Sequence, residues 1–134
     1  MRYENFLEKV QERTELAPDQ AETVVRATLE TLGERLHSTE RDLLGAQLPK
    51  EMQGMLARRK QTDRYNLEEF YNRVSARADL GYPDAVNSAR AVAMVLQEAV
   101  SEGEIRNMLS RLPAEYEELF GRAFQETLSP SSEY

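Results

Sequence analysis

The chain reads as an all-α protein, and three observations carry that reading. No segment alternates apolar and polar residues over a useful length, whereas apolar residues recur at i, i+3, i+4 and i+7 along the chain. Pro and Gly number 5 and 6 in 134 residues, too few turn formers for an all-β chain. Sliding the sequence along itself by 64 positions aligns Tyr3–Leu56 with Leu67–Phe120 without a gap. Identities at that offset include Phe6/Phe70, Val10/Val74, Leu16/Leu80, Ala21/Ala85, Leu32/Leu96 and the Leu-Pro-x-Glu runs at Leu48 and Leu112. Chance likeness between helices does not keep such punctuation in register. The expectation is two tandem pseudo-symmetric four-helix units packed into one helical domain, with seven or eight helices sharing a core.

Each element has its own local warrant. Tyr3, Phe6, Leu7 and Val10 form the stripe of a short first helix that stops near Leu16-Ala17-Pro18. Asp19, with Glu22 three residues on, reads as the cap of a second helix whose inward face holds Ala21, Val24, Val25, Thr28, Leu29, Leu32 and Leu36. Ser38-Thr39 offers a cap for a third helix with Leu43, Leu44 and Leu48. Pro49 suits the first position of a fourth, edged by Met52, Met55 and Leu56. In the second unit Asn66 precedes the stripe Leu67, Phe70, Tyr71 and Val74. Gly81-Tyr82-Pro83-Asp84 breaks the chain before a long helix carrying Ala85, Ala89, Val92, Leu96 and Val100. Ser101-x-x-Glu104 opens the helix of Ile105, Met108, Leu109 and Leu112, and Tyr116, Leu119, Phe120, Ala123 and Phe124 predict an extended last helix.

The expected organisation is thus one domain over residues 1–124, with repeats at 3–56 and 67–120, a polar linker at 57–66 and a frayed tail at 125–134. Either unit alone is too small for more than a thin core, so the two are expected to pack face to face about a pseudo-two-fold axis.

This pattern resembles a bacterial family known as domain of unknown function 2267. The likeness rests on Tyr3-Glu4-x-Phe6-Leu7-x-x-Val10, Ala46-Gln47-Leu48-Pro49, Leu67-Glu68-Glu69-Phe70-x-x-Arg73-Val74 and Leu112-Pro113-Ala114-Glu115. It implies a small all-helical, two-repeat bacterial protein and brings no activity, cofactor or catalytic residue. Relatives of this look often carry a Gly-Trp-rich stretch between the repeats, where this chain has Ala57-Arg58-Arg59-Lys60 and no Trp.

Composition narrows the chemistry. Cysteine is absent, which excludes disulfides, zinc–thiolate sites and cysteine nucleophiles. The net charge of −7 repels nucleic-acid backbones and anionic lipid, and no apolar run approaches membrane-spanning length, so neither partner is expected. The N-terminus lacks a signal-peptide core, and the expected location is cytoplasmic. The one histidine, His37, stands in Glu34-x-x-His37, a spacing used by carboxylate-bridged metal bundles. Its counterpart Glu98-x-x-Ser101 lacks the imidazole, so no metal site is expected. The paired carboxylates Glu68-Glu69, Glu102/Glu104 and Glu117-Glu118 fall at helix starts or polar faces. No nucleophile–base pair or phosphate loop accompanies them, so neither catalytic residues nor cofactors are expected. Arg58-Arg59-Lys60 with Arg64 reads as a solvated linker.

Two asymmetries between the repeats point to function. Residues 1–66 hold 11 basic and 12 acidic groups, residues 67–134 hold 6 and 12, so the second unit is the acidic half. Where the first long helix has Glu22, Glu30 and Thr31, read as flank and outer positions, the second has Val86, Met94 and Val95. A helix apolar all round is either the central helix of the molecule or has an outer face that meets another chain. Val86, Met94 and Val95 are therefore the candidate partner surface. The expected function is a non-enzymatic protein-interaction module able to self-associate. The alternative is a binder of an apolar or amphipathic small molecule between the repeats, with Tyr71, Tyr82, Tyr116, Met52 and Met55 as candidate walls.

Overall fold

The computed structural model describes residues 1–59 and 61–122. Among these it is all-helical: α1 (Tyr3–Thr14), α2 (Pro18–Arg35), α3 (Ser38–Ala46), α4 (Lys50–Ala57), α5 (Leu67–Ala78), α6 (Tyr82–Ala99), α7 (Glu102–Ser110) and a 3-10 turn at Ala114–Glu117. The starts and ends of α5, α6 and α7 lie 64 positions after those of α1, α2 and α3, the offset at which the sequence matches itself.

Local chemistry sets these boundaries. Asn66 Oδ1 accepts from the Glu69 N–H at 2.8 Å and Ser101 Oγ from the Glu104 N–H at 3.2 Å, each covering a donor that a helix start leaves open. At α2 the cap is Ala17 rather than Asp19. Its N–H donates to Gln20 Oε1 at 3.2 Å, and Asp19 serves as a first-turn carboxylate. The two short turns that reverse the chain after α1 and α5 both require a left-handed residue, Glu15 (φ 62) and Asp79 (φ 56).

α2 is the central helix, packed against α1, α4, α5 and α6. This corrects the placement of Glu30 and Thr31 on its outer side, since both are buried. The core runs without interruption through both halves, from Phe6, Val10, Leu29 and Leu32 to Phe70, Val92, Leu96 and Tyr116. Helix pairing respects the 64-residue offset: α1 packs on α6 as α5 packs on α2, and α3 meets its own counterpart α7.

The halves differ most in how their last segment meets the long helix. In the first, α4 lies directly on α2, and a Cβ built on Gly33 would fall 2.0 Å from the Leu56 carbonyl oxygen. The position 64 residues later is Gln97, whose Nε2 donates to the Phe120 carbonyl at 2.8 Å. A side chain thus stands where the first half has bare backbone. The expected extended last helix is accordingly replaced, among the described residues, by the 3-10 turn. A run of i→i+3 bonds continues it to Gly121 (φ +66). Ala123, Phe124 and the expected tail at 125–134 lie outside the described residues.

Candidate functional site

The most developed polar cluster lies where the end of α2 meets the segment between the repeats. A helix C-terminus buried in a core must satisfy its carbonyls by other means. Here Arg41 Nε donates to Gly33 O (3.1 Å), the Asp63 N–H to Glu34 O (2.9 Å) and Thr62 Oγ1 to Leu36 O (3.1 Å). Tyr65 anchors this strap. Its hydroxyl lies 2.6 Å from Thr31 O and 3.1 Å from Glu34 Oε1. Its carbonyl accepts from Arg35 Nε (2.8 Å) and from the Tyr116 hydroxyl (2.7 Å). The segment read as a solvated linker is therefore partly built into the fold, with Tyr65 buried.

Glu34 is the hub. Its Oε1 accepts from Arg73 Nη1 and Arg77 Nη2, both at 3.0 Å, and Arg73 also holds Asp63 and Glu69 while lying over the Tyr65 ring at 4.1 Å. Burial pushes the Glu34 carboxyl up, but the bonds from Arg73 and Arg77 outweigh it and hold the group below the ordinary carboxylate range. Burial raises the Tyr65 hydroxyl, and the Glu34 charge adds to it; burial also takes Tyr116 up to about 12. An oxygen already held by two guanidinium donors, with the Tyr65 hydroxyl beside it, suits a clasp rather than a general base.

A second clasp occupies the counterpart positions. Glu98 pairs with Lys9 Nζ and Arg13 Nη2, each at 3.1 Å. Glu34/Glu98, Lys9/Arg73 and Arg13/Arg77 are all related by the 64-residue offset, so the long helix of each half grips the first helix of the other. Neither clasp was singled out in the sequence. The available signal was that charged identities such as Glu34/Glu98 and Arg13/Arg77 persist where surfaces otherwise diverge.

Of the candidate partner surface, the structure retains Met94 alone as exposed, at 36%. Val95 is fully buried, which corrects its assignment to that surface: it sits one turn after Val92 on the inward stripe of a helix packed by α1, α2 and α5. Val86 is partly buried against the core. Met94 stands between two open clefts. One of about 580 Å³ is bounded by the end of α1 (Arg13, Thr14, Leu16) and the outer side of α6 (Asp84, Asn87, Arg90). The other, of about 330 Å³, lies against Glu118, Leu119, Gly121 and Arg122 and shares Met94 and Arg90 with the first. Gln97 and Glu102 pin Arg122 at the rim, and the bonds from Arg122 hold the Glu102 carboxyl down at about 2.

The remaining candidates are placed as follows. Tyr71, Tyr116, Met52 and Met55 are buried core and Tyr82 is exposed, and none of the five lines either cleft. His37 is exposed and caps α3 in extended conformation, so the end of α2 at Arg35 separates it from the helical face of Glu34. Among the described residues no group of three or more His, Asp or Glu side chains converges as a metal site. No helix there is long and apolar enough to cross a membrane.

The family model described as Uncharacterized conserved protein (DUF2267) matches residues 3–119, from the first residue of α1 to the residue before Phe120. The chain belongs to this family. The match spans both halves, the strap and both clasps, so these elements lie within the family's own extent. No curated protein matches the chain.

Proposed function

We propose that the protein is a non-enzymatic, cytoplasmic protein-interaction module of bacterial type, capable of self-association, whose docking surface is the outer side of α6 around Met94. The observation that carries this reading is a large apolar side chain, 36% exposed, standing between two adjoining clefts on the outer side of a helix whose inner face is buried in the core. Tyr71, Tyr116, Met52 and Met55, which a small-molecule pocket would use, are spent on packing. The scaffold is read as two tandem pseudo-symmetric four-helix units. Support comes from matched helix boundaries, matched helix pairings and the two matched clasps. The divergence of Gly33 to Gln97 sets the last segment of the second unit off its long helix, beside the cleft at Gly121.

The small-molecule reading keeps one observation in its favour: the larger cleft lies between α1 of the first unit and α6 of the second. Its polar rim of Arg13, Asp84 and Asn87 suits an amphipathic ligand rather than a wholly apolar one. Met94→Asp separates the two readings by native mass spectrometry of the protein recovered gently from its cells. The interaction reading predicts a complex of wild-type chain with protein that the variant loses. A bare monomer carrying a small stoichiometric mass increment would transfer the assignment to the ligand.

A further inference from the structure

The clasps are equivalent in position and unequal in strength. Glu34 has a side-chain exposure of 14% and its partners Arg73 and Arg77 have 25% and 19%; Glu98 has 38% and its partners Lys9 and Arg13 both have 42%. The second clasp is therefore open to water and screened by salt, whereas the first is largely shielded. The helices they hold differ in the same sense. α5 has the Asn66 cap, edge-on rings of Phe70 with Tyr71 and Tyr116, and the strap at Tyr65 before it. α1 has no side-chain cap and buries only Phe6 and Val10 fully. Its turn into α2 passes through Glu15 at φ 62, a conformation that a glutamate tolerates less well than the aspartate at the matching Asp79.

We infer that α1 is an exchangeable arm: it leaves its seat on α6 and α2 and is taken up by the same seat of a second copy of the chain. The occupant is specified by the seat itself. It accepts an amphipathic helix with apolar residues in the spacing of Tyr3, Phe6, Leu7 and Val10 and two cations one turn apart for Glu98, and a second α1 meets each requirement. Exchange preserves those contacts and opens the strained Glu15 turn, which is the condition under which swapped dimers form at low cost. The end of the arm, Arg13 to Leu16, walls the larger cleft beside Met94, but the ion pairs that seat it are made with Glu98 and do not involve Met94.

The test uses the full chain with substitutions at Glu15. Proline cannot adopt positive φ, so Glu15→Pro opens the turn and drives dimer formation at concentrations where the wild type is monomeric. Glu15→Gly removes the strain and lowers the dimer equilibrium constant on the order of tenfold, the size expected for one left-handed non-glycine residue. Sedimentation reads both, and Met94→Asp leaves these dimers intact, which distinguishes them from docking at α6. Hydrogen exchange on the wild type is the second measurement: α1 amides exchange faster than those of α5, and more so in high salt. A helical but monomeric Glu15→Pro chain would overturn the inference, as would α1 and α5 amides exchanging alike at every salt concentration.

Discussion

Replacing Gly33 by alanine perturbs the contact that most separates the two halves. A Cβ on Gly33 falls 2.0 Å from the Leu56 carbonyl oxygen and 2.8 Å from its carbon. Both are backbone atoms, so no rotamer change relieves the clash. α4 must retreat by more than about 1 Å to reach ordinary van der Waals separation, roughly 3.5 Å between heavy atoms. That retreat drags Met52, Met55 and Leu56 out of register with the core. Overpacking of this kind costs about 1–3 kcal/mol, and movement of a whole helix places the cost at the upper end. Alanine returns about 1 kcal/mol through its better helix propensity. The net expectation is a loss of about 2 kcal/mol, read as a lower urea midpoint at unchanged slope. Gly54→Ala is the internal control. Nothing lies within 4 Å of its Cβ, so the same exchange in α4 raises stability by about 0.5–1 kcal/mol. If Gly33→Ala raised the midpoint as Gly54→Ala does, the close approach of α4 to α2 would be wrong.

Further outcomes follow from the same geometry. Leu32→Ala and Leu96→Ala, at matched core positions, each cost about 2–5 kcal/mol in denaturant titration, and near-zero losses at both would undo the assignment of the inward faces. Val95→Asp buries an unpaired charge and unfolds the chain, whereas Met94→Asp leaves the circular dichroism melt close to wild type; equal behaviour would contradict the placement of these neighbours. Because the folded Glu34 carboxyl lies below its ordinary value, its contribution is complete above that value and is lost as pH falls through the lower one. Stability therefore drops in acid, and Glu34→Gln flattens that limb of the profile. A profile unchanged by the substitution would show that the clasp contributes nothing.

What was legible in the sequence was what neighbours in the chain decide. The stripes of Tyr3 to Val10 and Leu67 to Val74, and the caps Asn66 and Ser101, involve residues within a turn or two of each other, and the helices form where those signals place them. The 64-residue self-match of the sequence placed the ends of α5, α6 and α7 relative to those of α1, α2 and α3 because the same local punctuation occurs twice. Burial around the helix axis was less legible. The sequence pattern groups Met94 and Val95 on one surface, yet one lies outward and the other one turn from Val92, and only the number of helices packed on α6 shows how wide its buried face is. The Glu34 hub was invisible for a different reason. Arg73 and Arg77 reach it across 39 and 43 positions, and no local spacing rule links an acid on one helix to bases on another. Tyr65 illustrates the same point, since its burial follows from the unsatisfied carbonyls at the end of α2 rather than from its polar neighbours Arg64 and Asn66.

The exposed side of α6 is the proposed place where this protein meets another. Native mass spectrometry of the wild type and of Met94→Asp, recovered side by side from the source cells, is the test. Docking at this surface predicts a wild-type mass equal to an integer number of chains plus bound protein, and a folded Met94→Asp chain that has shed the bound protein. The same complex on both chains, or a monomer that carries only a small molecule, would contradict it.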